Sequence, residues 1–538
     1  MAAVELVLTL LAVAAGLELL AGRLGVPHPV LLVCGGLLLA LAPGLPAVRL
    51  DPDVVFLVFV PPLLYWAALT SSYRDFRRNL PSITLLAVGL VLATACAVAL
   101  IVHAVVPGMG WAPAFVLGAI VSPTDAVAAT AIARRLGVPR NAVTILEGES
   151  LVNDATALVA YRMAIGAVAA GTFSFGEAGV RFLVAAGGGI AVGLAAGAVV
   201  VWLRRRIDNT VVENTISLLT PFAAYLPAER VGASGVLAVV TVGLYLGRKA
   251  PRIVSPRTRI QAGGMWEMVT FLLQGLIFIL VGLELPRALA NVRPLSIREL
   301  LVPAAIVSGT VIVARLLWMF PGAYAATRIG HLFGSRDEMP RWRGVVLVAW
   351  AGMRGGVSLV IALAIPLTIA GGKPFPHRDL IIFLTFAVIL ATLVLQGLSL
   401  PTVIRLLRLR KDDAREGEER KARHKMAAAG LAHLEGINGN EALVRRLRER
   451  HVHRVHRYGP RVEDSAKAQD HDDDRKAADY RRIRGSMIGA ERAELIRLRD
   501  ENVIGDDVLR RIQHELDLEH MLLDSPGPDP TGEVAERG

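Results

Sequence analysis

The chain is 538 residues long, 54% hydrophobic, and holds 51 glycines. That balance excludes a soluble globular domain and a disordered chain, and sets the protein in the membrane class. Its net charge of +11 does not point to nucleic acid: the basic residues lie in short connections between apolar runs and in a mixed-charge tail, where they orient a membrane protein and meet anionic lipid.

A helix needs about 20 largely apolar residues to cross a bilayer. Runs of that kind fall near 3–21, 29–47, 53–70, 81–106, 111–133, 140–168, 180–203, 210–227, 231–247, 264–285, 299–327, 343–369 and 379–407. The expectation is therefore an all-α polytopic membrane domain of about thirteen helices over residues 1–410, followed by a mostly helical cytoplasmic tail over 411–538. The first run has no basic leader and carries Glu5, so it reads as a retained span. Cys34 and Cys96 sit in apolar runs and form no metal motif. His103, in the fourth run, reads as a core histidine and is assigned no role.

The fifth run contains "SPTDAVAAT". Pro123 lacks an N–H and clashes with the preceding turn, so the helix breaks or kinks there. Asp125 follows the break, where the dipole of a second half-helix favours negative charge. An ordinary kink with a capping aspartate is the alternative. The sixth run contains "GESLVNDATALVAY". Measured from Arg140, Asp154 lies about 21 Å along the helix, near mid-bilayer. Ser150 and Asp154 share a face, Asn153 lies one step round, and Glu149 precedes Asn153 by one turn. Helix–helix contact would explain Ser150 and Asn153 alone. A mid-membrane carboxylate instead marks an ion or proton path.

Arg315 in the eleventh run is a buried cation that needs a partner, and Glu149 is the best candidate by depth. Snorkelling toward an interface is the alternative. The twelfth run contains "WAGMRGGVSLVIALAIP", in which Gly352, Gly355 and Gly356 make a weak point around Arg354. Close helix packing would also account for these glycines. If spans 1–6 and 8–13 are two six-helix repeats, their odd offset makes them inverted and puts interrupted helices 5 and 12 in corresponding places. Such a pair points to a transport site.

In the tail, a helix start at Asp506 places Leu509, Ile512 and Leu516 on one face, in a segment with otherwise little apolar surface. His451, His453 and His456 read first as a solvated helix face, with metal binding or pH sensing as the alternative. The tail's ligand is unknown from sequence; regulation or pairing with a second tail is the expectation. Orientation follows from charge. Connections with runs such as Arg74, Arg77 and Arg78, or Arg204, Arg205 and Arg206, alternate with connections poorer in Arg and Lys. This puts the N-terminus outside and the tail in the cytoplasm.

With "GESLVNDA", "SPTDAVA", "VARLL", "FILVGLELP", "AGMRGGVS" and "LQGLSLPTVI" in order along the chain, the sequence resembles the first monovalent cation:proton antiporter family, which includes bacterial sodium/proton antiporters and animal sodium/proton exchangers. The resemblance implies that Asp154 is the ion-site aspartate, with Asn153, Ser150, Thr124 and Asp125 around it. It also implies that Glu149 and Arg315 form a structural pair, and that the protein is a homodimer moving in an elevator-like way. One departure stands out. Many relatives have an acid in span 3 after a "PP" pair, where "PPLLYWAAL" puts Trp66.

The expected function is exchange of a monovalent cation, sodium first, for a proton across the cell membrane, both competing for Asp154. No cofactor is implied beyond the transported sodium and protons. Asn153 stands where electrogenic relatives carry a second aspartate, so exchange is expected to be electroneutral. A potassium/proton antiporter and a cation channel are the alternatives. An enzyme, an intramembrane aspartyl protease using Asp125 and Asp154, is disfavoured because no "GxGD"-type motif is present.

Overall fold

In hydrocarbon a backbone N–H or C=O has no water to bond, so apolar runs this long are stable only as helices or closed barrels. The computed structural model takes the helical solution. It describes residues 2–24, 28–41, 52–125, 129–130, 132–133, 136, 138–170, 175–291, 296–332, 342–369, 372–408, 413–435, 445, 447–448 and 473–524. Among these residues there is no strand; an isolated bridge joins Thr368 and Pro374.

The helices, in chain order, are α1 (Ala2–Leu24), α2 (His28–Ala40), α3 (Pro52–Thr70), α4 (Tyr73–Arg78), α5 (Leu80–Val105), α6 (Trp111–Val121), α7 (Arg140–Ala170), α8 (Phe175–Arg204), α9 (Thr210–Arg230), α10 (Gly235–Ile253), α11 (Pro256–Asn291), α12 (Ile297–Leu332), α13 (Trp342–Trp350), α14 (Gly356–Leu363) and α15 (Arg378–Leu407). The tail adds α16 (Asp413–Glu435), α17 (Asp473–Asp500) and α18 (Asp506–Asp524). A helix, or a pair of helices, stands at each expected span. By length and composition alone, 6 described helices suffice to cross a membrane, and several shorter apolar helices accompany them.

The chain divides into two compact units: Met1–Arg206, Thr215–Lys249 and Met265–Lys411 form one, and Ile207–Asn214, Ala250–Gly264 and Asp412–Gly538 form the other. In the first unit, α6 is buried along nearly its whole length, from Pro113 to Val121. It packs on α5 and α7, while α12 packs on α5, α13 and α15. The expected breaks are present. Helix α6 stops at Val121, residues 123–125 are irregular, and the next described residues, 129 and 130, are helical. The twelfth span is split into α13 and α14 by residues 351–355. A π-helical stretch, Leu85–Leu90, lies inside α5; sequence gave no sign of it.

The second unit corrects one expectation, that the tail has little apolar surface. Ile488, Leu495, Leu498, Ile504, Val508, Leu509, Ile512 and Leu516 are buried together with Ala422 as a core of its own. Apolar residues at helical spacing survive among the charges of α17 and α18, and α16 packs against them through Ala422 and Met426. Asp517 is fully buried beside that core. It accepts from Arg259 Nε at 2.6 Å and from Arg492 Nη2 at 2.9 Å. His451, His453 and His456 lie outside the described residues.

Candidate functional site

The site grows from the two chain breaks. Beyond Pro123 the backbone no longer follows the helical ladder, so its polar groups need other partners. The two broken segments supply one another. Asp125 N–H donates to the Met353 carbonyl at 2.8 Å, and Arg354 Nη1 donates to the Ser122 carbonyl at 2.7 Å. The Arg354 N–H is taken by Thr392 Oγ1 at 3.1 Å. Two glycines permit the close approach. A Cβ on Gly355 would overlap the Asp125 carboxylate, and a Cβ on Gly352 would overlap the Arg315 guanidinium.

Helix α7 presents two faces to these breaks. One face carries Glu149 and Asn153, each about 1% exposed. Arg315 Nη2 donates to Glu149 Oε2 at 2.9 Å, and Nη1 bonds Glu149 Oε1. Arg315 also donates to the Val348 and Ala349 carbonyls, at 2.9 and 3.1 Å, satisfying the C-terminal end of α13. Thr124 Oγ1 donates to Glu149 Oε1 at 2.8 Å. Asn153 Nδ2 donates to Thr124 Oγ1 at 2.9 Å and to the Thr124 carbonyl at 3.2 Å. The Thr124 carbonyl beside the break is thus partly occupied. Asn153 Oδ1 is buried with no hydrogen-bond partner among the described residues.

The other face of α7 lines a cavity of about 390 Å³. Glu147, Ser150 and Asp154 project along it, with Thr124 and Asp125 from the first break and Gly355 and Ser358 beside the second. Asp154 is 6% exposed. Three carboxylates therefore meet hydroxyl and carbonyl oxygens, and no Lys, Arg or His is among the described lining residues. Hard oxygen donors without a competing cationic side chain suit a small hard cation or a proton. No group of three or more His, Cys, Asp or Glu able to hold a resident metal is present among the described residues.

Of the residues singled out from sequence, Asp154, Asp125, Ser150 and Thr124 come to one cavity, and Glu149, Arg315, Asn153 and Thr124 to one network beside it. Arg354 and Gly352 are not on the cavity wall: Arg354 fastens one break to the other, and Gly352 makes room for Arg315. Trp66 is on the wall and stacks on Trp266, with ring centroids 5.8 Å apart and planes 9° from parallel. His103 Nδ1 pairs with the Met109 carbonyl at 2.6 Å and stacks on Trp111, a packed role. Sequence reasoning missed Glu147, and with it Thr70, Ser71, Thr270 and Gln274. The signal for Glu147 was available in its helical spacing from Ser150 and Asp154.

Comparison with known proteins adds the following. The family profile described as "Sodium/hydrogen exchanger, transmembrane" matches residues 7–406. An uncharacterized Na+/H+ exchanger of Mycobacterium tuberculosis is 40% identical over 516 residues, 94% of this chain and 93% of the relative. The Na+/H+ antiporter ApNhaP of Aphanothece halophytica is 34% identical, covering 77% of this chain and 76% of the relative. A sodium, potassium, lithium and rubidium/H+ antiporter of Bacillus pumilus is 34% identical over 70% of this chain and 57% of its own length. The fold is similar to that of the sodium proton antiporter MjNhaP1 of Methanocaldococcus jannaschii, with TM-score 0.59 and 21% identity, over 76% of this chain and 98% of that one.

Proposed function

Because the chain belongs to the sodium/hydrogen exchanger family, we propose that it exchanges a monovalent cation, sodium first, for a proton across the cell membrane. The single observation that carries this reading to residues is the cavity in which Asp154 and Asp125 meet Ser150 and Thr124, with no basic side chain among the described lining residues. A buried carboxylate without a fixed counter-charge holds either a proton or a cation. Competition for Asp154, with the cavity opened alternately to each side, gives exchange through one site. Glu149 is excluded from that role because Arg315 neutralises it; the pair and Asn153 shape the site from behind.

The tail-side and outer faces follow from the alternation of basic connections, which supports an outside N-terminus and a cytoplasmic tail. The homodimer, the count of about thirteen spans and the inverted repeats belong to the same proposal, on the strength of the resemblance and of breaks at corresponding positions. Potassium is the second reading for the cation, favoured by the Bacillus pumilus relative, a sodium, potassium, lithium and rubidium/H+ antiporter.

The test is full-length protein in liposomes, with sodium, lithium and potassium each offered against a proton gradient. Asp154→Asn removes the titrating charge with little change of volume. It is expected to abolish exchange and still yield folded, inserted protein. Near-normal exchange in that variant would remove Asp154 from the mechanism.

A further inference from the structure

Helix α7 carries a carboxylate that the exchange mechanism has not used. Glu147 and Asp154 are seven residues apart, close to two full turns, so they lie on one face about 10 Å apart along the axis. Ser150 falls between them on that face. All three line the same cavity, so the helix sets a row of oxygen donors along the wall.

The row has a shallow end and a deep end. Arg140, at the start of α7, is bridged to Asp75 of α4 at 2.6 Å. Helix α4 follows directly on the end of α3, where Thr70 and Ser71 reach the cavity. Glu147, Thr70 and Ser71 therefore share the end nearer the Arg140 face. Asp154 shares the other end with Thr124, Asp125 and Gly355, at the chain breaks. Glu147 is half-buried. Trp66 lines the same cavity with an aromatic ring. Glu147 is then the carboxylate of the outer tier among the described lining residues.

Resting on the exchange reading above, we propose that Glu147 is an outer cation-receiving residue. It concentrates sodium in the mouth of the cavity at the Arg140 face and hands it along Ser150 to Asp154. It sets affinity for the cation from that face and takes no part in the exchange step itself. A low-dielectric cleft focuses the field of a single carboxylate on its mouth. At about 10 Å and an effective dielectric of roughly 20–40, one charge changes cation occupancy by about fourfold to fifteenfold.

The experiment measures sodium-driven proton movement in membrane vesicles of both orientations, so that each face is presented in turn. Glu147→Gln is expected to raise the apparent KM for sodium roughly fivefold when the Arg140 face is presented, with turnover at saturating sodium held within about twofold. KM from the opposite face is expected to change less. Glu147→Asp, which keeps the charge, should restore most of the affinity. Thr70→Lys, which places a positive charge in the same mouth and leaves Glu147 intact, should raise the same KM. That variant keeps the test open where Glu147→Gln does not insert. An unaltered KM in both Glu147→Gln and Thr70→Lys overturns the proposal. So does a loss of turnover at constant KM, or an equal KM change from both faces. Asp154→Asn assayed alongside separates the two readings. If the wild type exchanges sodium and Asp154→Asn does not, an unaffected Glu147→Gln removes only the outer tier.

Discussion

At the scale of single residues, Glu149 and Arg315 bond each other in the core. Both side chains are about 1% exposed, and removing one partner leaves a charge buried alone, a loss of about 3–5 kcal/mol. The two single variants are not expected to lose equal amounts. Arg315→Leu leaves Glu149 charged and also orphans the Val348 and Ala349 carbonyls. Glu149→Gln keeps an acceptor for Thr124 Oγ1 and for Arg315. Arg315→Leu should therefore lower the unfolding temperature more, and the double variant should recover part of its loss. Strictly additive losses would mean the pair is not coupled. These residues were legible in the sequence because an intramembrane charge has to have a partner at its own depth. Glu147 was legible only as a helical spacing from Ser150 and Asp154; the three-dimensional cavity gives that spacing its meaning. The part-occupied Thr124 carbonyl was out of reach, since Asn153's rotamer decides it.

At the scale of elements, the two helix breaks were readable from covalent chemistry: a proline cannot donate to the ladder, and clustered glycines weaken it. Their mutual stapling was not, because Asp125 to Met353 and Arg354 to Ser122 are contacts across more than 200 residues of sequence. The π-helical stretch in α5 also escaped, since nothing in LLAVGL distinguishes it from the apolar helix around it. The tail core escaped for another reason: the mean polarity of α17 and α18 conceals an apolar stripe. The breaks supply a prediction. Gly355→Ala sets a methyl against the Asp125 carboxylate, so either the crossing separates or Asp125 moves. Cation affinity should fall by roughly tenfold or more, about 1.4 kcal/mol or above, in protein that still inserts. Gly344→Ala, where a Cβ meets nothing within 4 Å, is the control and should transport normally. Equal transport by both variants would show that the close contact at Gly355 has no bearing on the site.

At the scale of the whole molecule, the proposed mechanism makes the groups around Asp154 decide whether exchange moves charge. Asn153 cannot titrate, and its amide is held by Thr124. Glu149 is paired with Arg315. With Asp125 and Glu147 keeping one protonation state through the cycle, a single carboxylate alternates between proton and cation, and one proton leaves for each sodium bound. No net charge then crosses the membrane. Moving one charge through 100 mV would be worth about 2.3 kcal/mol, enough to shift an electrogenic exchange equilibrium about fiftyfold. The expectation is that a potassium-diffusion potential imposed on proteoliposomes leaves the sodium–proton equilibrium where the two gradients alone put it. Sodium accumulation driven by the potential with both gradients balanced would refute one-for-one exchange and require a second titrating group. Asp125→Asn and Glu147→Gln would then identify it: the variant that abolishes the voltage response and keeps exchange carries the extra proton.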